Sequence, residues 1–593
     1  MRTDAPRSIP RIAALARALT PLALLALFSG CLTITSVSPN PAPPGLAVVI
    51  TGTDFGTRGV LDGVIYDGAS LTIVSWADTQ IIATLPATKA DGTYPMQVKH
   101  SNQLSPVYMH TIAAQAPVIS NLHLAPNPNN ALSTLVELNT SVPATPKVTV
   151  SSSVGTFVVP ATGTVSSEPG LLHAVAVLGM RSQVPYTFTV TATTPSGLTS
   201  APGSLSYTPP PLPDGFPPLQ LTVREPGNYA PGMLLFGMTR GIVAADTGIY
   251  VVDDEGQPIW YYRKPVTVFS HTGQLKNGNF IYVDYLAGTV GEVDMLGNPV
   301  HTYTSNINGL LHHDVEELPN GNLLMLDVEV RPTAGFPGNQ TYNLVGDVVV
   351  ERDRNTGATV WALHLLDLLD PYRYASQEMF DTPVYDAYFN NIPTKDWSHV
   401  NNVIYDPSDD SVILSPRTQN IIIKVKRSTK QLVWVTGENL PMSTRDDTWP
   451  FLTFTGSGRL PNYPHGPSIA PNGDLILYDN GNELPVQYSR GVEYALDTVH
   501  NQVRQVWEFV DPAYDPPLFG PWLGNALGFP GGTALVDDAG INDPNLVYLR
   551  WAKFTEVRQS DNHKVWELIC RDPANLEGYN GFDSEKIQSL YPP

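Results

Sequence analysis

The chain has 593 residues, with 34 Lys and Arg against 55 Asp and Glu and a formal charge of −21, which leaves no basic footprint for nucleic acid or an anionic lipid surface. Charged residues make up 15% of the chain, against roughly 25% in an ordinary globular protein, and 55 Pro with 47 Gly point to many turns and argue against coiled coils and helical repeats. The 42% of hydrophobic residues can build a large core, and at roughly 100–200 residues per domain the length predicts about three to five domains, fewer if one is a large all-β unit.

Residues 1–30 carry Arg2, Arg7, Arg11 and Arg17, then an apolar run from Ala18 to Phe28, then Ser29-Gly30 directly before Cys31. That is the pattern of a secretory signal. Small residues before a cysteine match a lipoprotein processing box, so Cys31 is the expected lipidation site. A free terminal thiol would suit an oxidising compartment badly. Cys570 is then left alone, and no disulfide is expected. No later apolar run approaches the ~20 residues that span a bilayer. The expectation is an exported body held to the envelope by a lipid anchor only, facing the periplasm or cell surface, with Leu32 after Cys31 favouring the outer membrane.

From Ile34 to Ile112 short alternating runs, such as Ala47-Val48-Val49-Ile50-Thr51 and Gln80-Ile81-Ile82-Ala83-Thr84-Leu85, are separated by Gly, Pro and Asp turns. They predict a small β-sandwich over 31–114. The order Val37, Pro39, Pro44-Gly45, Val49-Ile50, Gly52 and Phe55-Gly56 resembles the IPT/TIG immunoglobulin-like family, which implies a spacer or docking module without chemistry. A second sandwich is predicted over 115–208, where Tyr186-Thr187-Phe188-Thr189-Val190-Thr191 alternates cleanly; this segment resembles fibronectin type III. Pro209-Pro210-Pro211-Leu212-Pro213 favours extended polyproline geometry, so 209–218 reads as a stiff linker.

From about Leu219 the sequence repeats itself. A strand, a polar turn and an aromatic or equivalent residue recur at Trp260, His301, Trp361, Trp434, Trp507 and Trp566, spaced by 41 to 73 residues. Interleaved are Leu275-Lys276-Asn277-Gly278-Asn279, Leu318-Pro319-Asn320-Gly321-Asn322 and Ala470-Pro471-Asn472-Gly473-Asp474, and Asn-Gly between two β runs is the strongest short hairpin signal. Several strands per repeat at this spacing match propeller blades with loop insertions. The fold class is therefore all-β: a six-bladed β-propeller over 219–593, preceded by two immunoglobulin-like sandwiches.

Equivalent positions of successive blades lie on a ring, so a residue type repeated at one repeat position converges in space. His313 lies seven residues before Asn320, His465 seven before Asn472, and His271 six before Asn277. His399 precedes Asn401 and its own hairpin in the same way, and Arg417 follows the next strand. Three imidazoles can hold a transition metal, but a guanidinium in the same ring opposes a second positive charge. Arg beside imidazoles fits a tetrahedral oxyanion better, with one neutral imidazole attacking it; no metal and no cofactor are expected.

At these residues the chain resembles the bacterial arylsulfate sulfotransferases, over about Leu219 to Tyr591. The most specific parts are His312-His313-Asp314 before Leu318-Pro319-Asn320-Gly321-Asn322, Asp396-Trp397-Ser398-His399 with Asn401, Arg417 with Gln419, and His465 before Tyr478-Asp479-Asn480-Gly481-Asn482. The resemblance implies ping-pong transfer of a sulfuryl group from an aryl sulfate to a phenol, without a nucleotide donor. It implies His465 as the nucleophile that becomes sulfated, His399 and Arg417 as the groups on the sulfuryl oxygens, Asn401 as their assistant, and His313 at the phenolic oxygen with His312 as the competing choice. His271 and Thr533, after Gly531-Gly532, are further candidates for lining the site. The lone Cys570 departs from members that carry a propeller disulfide, and the two sandwiches put the family's homodimer contact in question. A propeller that binds an anionic ligand or partner without turnover, and a metal-dependent lyase or hydrolase, are the competing functions.

Overall fold

The computed structural model describes residues 31–593 apart from 167–170, 242–245, 266, 308, 377–384, 440–448 and 544–545. The expected leader, residues 1–30, lies outside the described residues. No helix among the described residues is long and apolar enough to cross a membrane. The chain divides into two compact units.

The first unit holds residues 32–112 in two antiparallel sheets, one ordered Thr33–Ser38, Ala47–Thr53, Gln80–Thr84, Thr72–Ala77, the other built on Gly63–Tyr66 and Gly92–His100. Alternation does the sorting, because a strand shows successive side chains to opposite faces. Val48 and Ile50 go inward with Ile81, Val64, Met96 and Phe55, and the residues between them face outward or lie part-buried. Its one fully buried imidazole, His110, contacts the Tyr66 hydroxyl (3.2 Å) and the Pro39 carbonyl (3.0 Å).

The second unit joins the second sandwich to everything from Ser200 onward. Tyr186, Phe188, Val190 and Ala192 alternate inward as the pattern requires, and the Tyr186 hydroxyl accepts a hydrogen bond from the Arg181 amide (2.8 Å). The Pro209–Pro213 run does not hold this sandwich at a distance. One apolar cluster runs from Val136 and Phe188 to Trp260 and Tyr591. Arg181 bonds Asp253 (2.7 Å), and Asn130 Nδ2 donates to the Tyr261 carbonyl (3.0 Å).

Among the described residues from Leu219 to Ile587, six sheets follow in chain order. Their inner-edge strands are Phe269–Gln274, His312–Glu317, Val400–Asp406, Pro464–Ile469, Ala526–Gly528 and Tyr579–Ile587. Each of these strands packs on the next, and the sheet holding Ala526–Gly528 returns to Tyr579–Ile587, so the contacts close a ring. The closure is woven at both ends. Leu219–Arg224 pairs with His563–Cys570 in the last sheet, and Tyr579–Ile587 pairs with Met233–Arg240 in the first. This all-β assembly is consistent with the propeller class read from the sequence. Indole N–H groups staple sheet to sheet: Trp260 donates to the Met295 carbonyl (2.8 Å), Trp361 to Arg427 (3.1 Å) and Trp566 to Asp254 (2.9 Å).

The Asn-Gly elements form the hairpins that leave the inner strands. In each, the first residue's amide bonds the fifth residue's carbonyl, as Leu318 to Asn322 at 2.9 Å, and the glycine takes a left-handed φ, 82° at Gly321, where only glycine is unstrained. A side chain of the turn then reaches a glutamate two strands away: Asn322 to Glu351 (2.7 Å) and Asn472 to Glu493 (2.8 Å). Phe529-Pro530-Gly531-Gly532-Thr533 makes the same turn, Phe529 N to Thr533 O at 2.9 Å, and Thr533 Oγ1 donates to Glu556 at 2.6 Å. Cys570 is buried as a free thiol, and burial pushes its pKa well up.

Candidate active site

At the opposite end of the inner strands the pairing breaks. Register shifts fall between Phe269 and His271, His312 and Val315, Val400 and Val403, His465 and Ser468, and opposite Asp583. A bulge adds unpaired residues to one strand and re-aims its side chains. His313 (φ 53°), His399 (44°) and Asp583 (34°) take left-handed backbone there, as does Gly466 after His465 (47°). For non-glycine residues this is strained, and such strain gathers at functional sites.

The result is a cluster of imidazoles. The His313 and His399 rings stand edge to face with centroids 4.8 Å apart. His399 Nδ1 is held by the Asp396 carboxylate three residues earlier. His465 Nδ1 lies 2.8 Å from the Gly524 carbonyl; a carbonyl only accepts, so Nδ1 carries the proton and Nε2 keeps the lone pair. Arg417 is 2% exposed. Its amide donates to the His399 carbonyl (3.1 Å), its Nη2 to the Pro521 carbonyl (2.7 Å), and its guanidinium lies over the Tyr463 ring at 4.7 Å. Asn401 donates to the Pro464 carbonyl (2.9 Å), bracing the strand that carries His465.

Electrostatics ties the set together. Burial, then the Arg417 charge and His399, pushes His465 down to about 3 against the hydrogen bond to Gly524. Burial, followed by His399, His312, His465 and Arg417, holds His313 well below the ordinary imidazole value. Both rings are therefore neutral at ordinary pH, and His465 Nε2 offers a nucleophile beside a fixed cation.

His312 and His313 divide their roles. His312 is fully buried, with Nδ1 2.7 Å from His313 Nδ1 and Nε2 3.0 Å from Asp347 Oδ1 in an ion-pair contact. Asp347 is anchored in turn by Ser398 Oγ and by the Val400 amide (2.9 Å). His313 is thus the member turned to His399, and His312 stands behind it.

Two candidates do not join the cluster. His271, just past its strand's register shift, turns to Asp314 and Asp583 in a cavity of the inner strands; the three offer ligand atoms within 4.8 Å of one another. Thr533 sits at the far hairpin in the place of Asn322, bonded to Glu556, because Gly531-Gly532 forms the turn and not the mouth. Sequence reading missed Asp347, Gly524 and the tyrosines beside His313: Tyr285, whose ring is 5.8 Å from it, and Tyr388, 6.2 Å from Tyr285. Asp396 was visible, as the carboxylate three residues before His399. The others had no local signal.

A model described as arylsulfotransferase (ASST) matches residues 234–580, and an IPT/TIG domain model matches 32–111. An arylsulfate sulfotransferase AssT of Escherichia coli O6:H1 is 29% identical over 266 residues, 37% of this chain and 43% of that protein. One from Lelliottia amnigena is 26% identical over 338 residues, 47% of this chain and 55% of that protein. The chain thus spans about half the length of the curated relatives it matches. A solved structure of a protein of unknown function from Bacteroides thetaiotaomicron VPI-5482 covers 93% of this chain and 98% of its own, at 9% identity and a TM-score of 0.29, too loose a likeness to carry an argument. The arylsulfotransferase model covers more than half of the 593 residues, and the chain belongs to the arylsulfotransferase family.

Proposed function

We propose that this chain moves a sulfuryl group from an aryl sulfate ester to a phenol through a sulfated His465, without a nucleotide donor. The observation that carries this reading is the state of His465: Nδ1–H tied to Gly524, Nε2 free to attack, and a pKa of about 3 beside Arg417. In the first half-reaction the Nε2–S bond forms and the S–O(aryl) bond breaks. Charge spreads onto the sulfuryl and leaving oxygens, where Arg417 and His399 act as preorganised donors. A phenol has a pKa near 10 and leaves poorly as its anion, so it takes a proton from His313 Nε2. His313 Nδ1 is refilled through its 2.7 Å contact with His312 Nδ1, behind which Asp347 Oδ1 lies 3.0 Å from His312 Nε2. In the second half-reaction the acceptor phenol returns that proton along the same path as its oxygen attacks sulfur and the S–N bond breaks. The aromatic ring of Tyr285, edge to face with His313, is a candidate neighbour for the aryl ring of either substrate.

Brief exposure to p-nitrophenyl sulfate, acid-free quenching and mass spectrometry of the His465 peptide test this. One SO3 adduct on that peptide, with a phenol burst stoichiometric with enzyme, is expected. Turnover without an adduct would overturn it, and a purely binding propeller shows neither. We also propose that Cys31 is lipidated and anchors the chain to the cell envelope, on the strength of the leader and the residues before the cysteine. Palmitate labelling lost in Cys31→Ser is the expected result.

A further inference from the structure

Below the imidazole cluster the inner strands enclose a cavity of about 200 Å³ whose wall includes His271, Asp314, Glu316, Asn402, Asp583 and Glu585. It has no place in the sulfuryl transfer described above. His271 Nδ1 lies 2.9 Å from Asp314 Oδ1 and 2.7 Å from Asp583 Oδ2. One N–H can only be shared between the two oxygens, whereas a cation that takes the Nδ1 lone pair can hold both at once. Two ligand atoms each about 2.1 Å from one ion and at right angles are about 3.0 Å apart, close to the separations seen.

The donors are built in. Asp314 is held by two backbone amides, Val315 on Oδ1 (2.8 Å) and Val403 on Oδ2 (2.7 Å). His271, Asp314 and Asp583 come from three different inner strands, each on its bulge. Thr272, also on the cavity wall and 2% exposed, has an Oγ1 without a hydrogen-bond partner among the described residues, and so does Asn402 Oδ1. The lining thus brings four carboxyl groups, Asp314, Glu316, Asp583 and Glu585, round one imidazole, a donor set suited to a cation.

We propose that His271 Nδ1, Asp314 Oδ1 and Asp583 Oδ2 bind one first-row divalent cation of the Mn2+ or Zn2+ kind, with waters from the cavity completing its shell. One nitrogen and two carboxylate oxygens fit such ions better than Ca2+, which takes six to eight oxygens. The ion ties the C-terminal strand Tyr579–Ile587 to the strands of His271 and Asp314, and so fastens the ring where the chain closes it.

The test uses the full chain, stripped with EDTA and titrated at neutral pH with MnCl2 or ZnCl2 alone. Calorimetry and metal analysis are expected to find one ion per chain, with Tm raised by about 2–3 °C at 100-fold excess over Kd. His271→Ala and Asp583→Asn should each weaken binding at least about 10-fold, while Asn322→Ala leaves it unchanged. Electron–nuclear double resonance of the Mn2+ form should show coupling to one imidazole nitrogen, which keeps the question decidable if a variant misfolds. No saturable binding of either ion, no nitrogen coupling, or equal binding by both variants would overturn the proposal.

Discussion

The two ends of the inner strands are built by opposite rules. At the hairpin end, four sheets repeat one device: a left-handed glycine closing a tight turn, and a side chain of the turn reaching a glutamate two strands away. At the bulged end, the strands share a break in register but differ in residue: His271, His312-His313-Asp314, His399 with Asn401, His465-Gly466, Asp583. Repetition serves the end that every sheet needs for stability. Divergence marks the end where the imidazoles, the guanidinium and their carboxylate partners gather.

Substitutions break or sharpen that contrast. At the bulged end His465→Ala should abolish transfer, by about 10⁴-fold or more, since a nucleophile has no substitute; initial rates with p-nitrophenyl sulfate check it. Arg417→Gln should cost about 100- to 1000-fold. The same variant carries a pH signature. Because His465 sits at about 3, its neutral form persists as pH falls, and the acid limb of the donor burst should lie near pH 3 and not near the ordinary imidazole value of about 6.5. Removing the Arg417 charge lets the imidazole protonate more readily, so the limb should move up. Stability follows the same sign. Below about pH 6.5 the unfolded chain takes up a proton that native His465 refuses, so folding weakens as pH falls from there toward 3.

One substitution made at both ends gives the sharpest comparison. A Cβ on Gly466 meets Asn525 Cβ at 2.4 Å and the Gly524 carbonyl oxygen at 2.7 Å, whereas a Cβ on Gly321 meets nothing within 4 Å. Both residues have left-handed φ. Gly466→Ala displaces the acceptor that orients His465 and should lower kcat at least about 10-fold, as small misplacements do. Thr533→Val, at the hairpin end, should cost about 2 kcal/mol in denaturant unfolding through the loss of a bond to buried Glu556, with kcat/KM unchanged. Gly321→Ala should cost about 1–2 kcal/mol from backbone strain alone, again without effect on turnover.

The same contrast explains what was legible beforehand. His313 and His465 are in phase because each lies seven residues before an asparagine of the hairpin device, so the regular end served as a ruler for the irregular one. The ruler misled at Thr533, where Gly531-Gly532 is the hairpin glycine pair itself, and at His271, which turns to Asp314 and Asp583 instead. It gave no view of Asp347, which reaches His312 from two strands away in the same sheet, or of Gly524, which holds His465 from the loop before Ala526–Gly528.

Residue pattern alone therefore determined the strand alternation, the Asn-Gly turns, the all-β class and the presence of imidazoles and a guanidinium at recurring positions. Those properties depend on neighbours within a few residues, where backbone preference and the period-two side-chain rule act directly. Tertiary structure alone decided which imidazole is neutral, which nitrogen carries its proton, and which histidine faces which carboxylate. Burial and the Arg417 charge hold His465 neutral, and the partners that orient the rings, Gly524 for His465 and Asp347 for His312, lie 59 and 35 residues away along the chain.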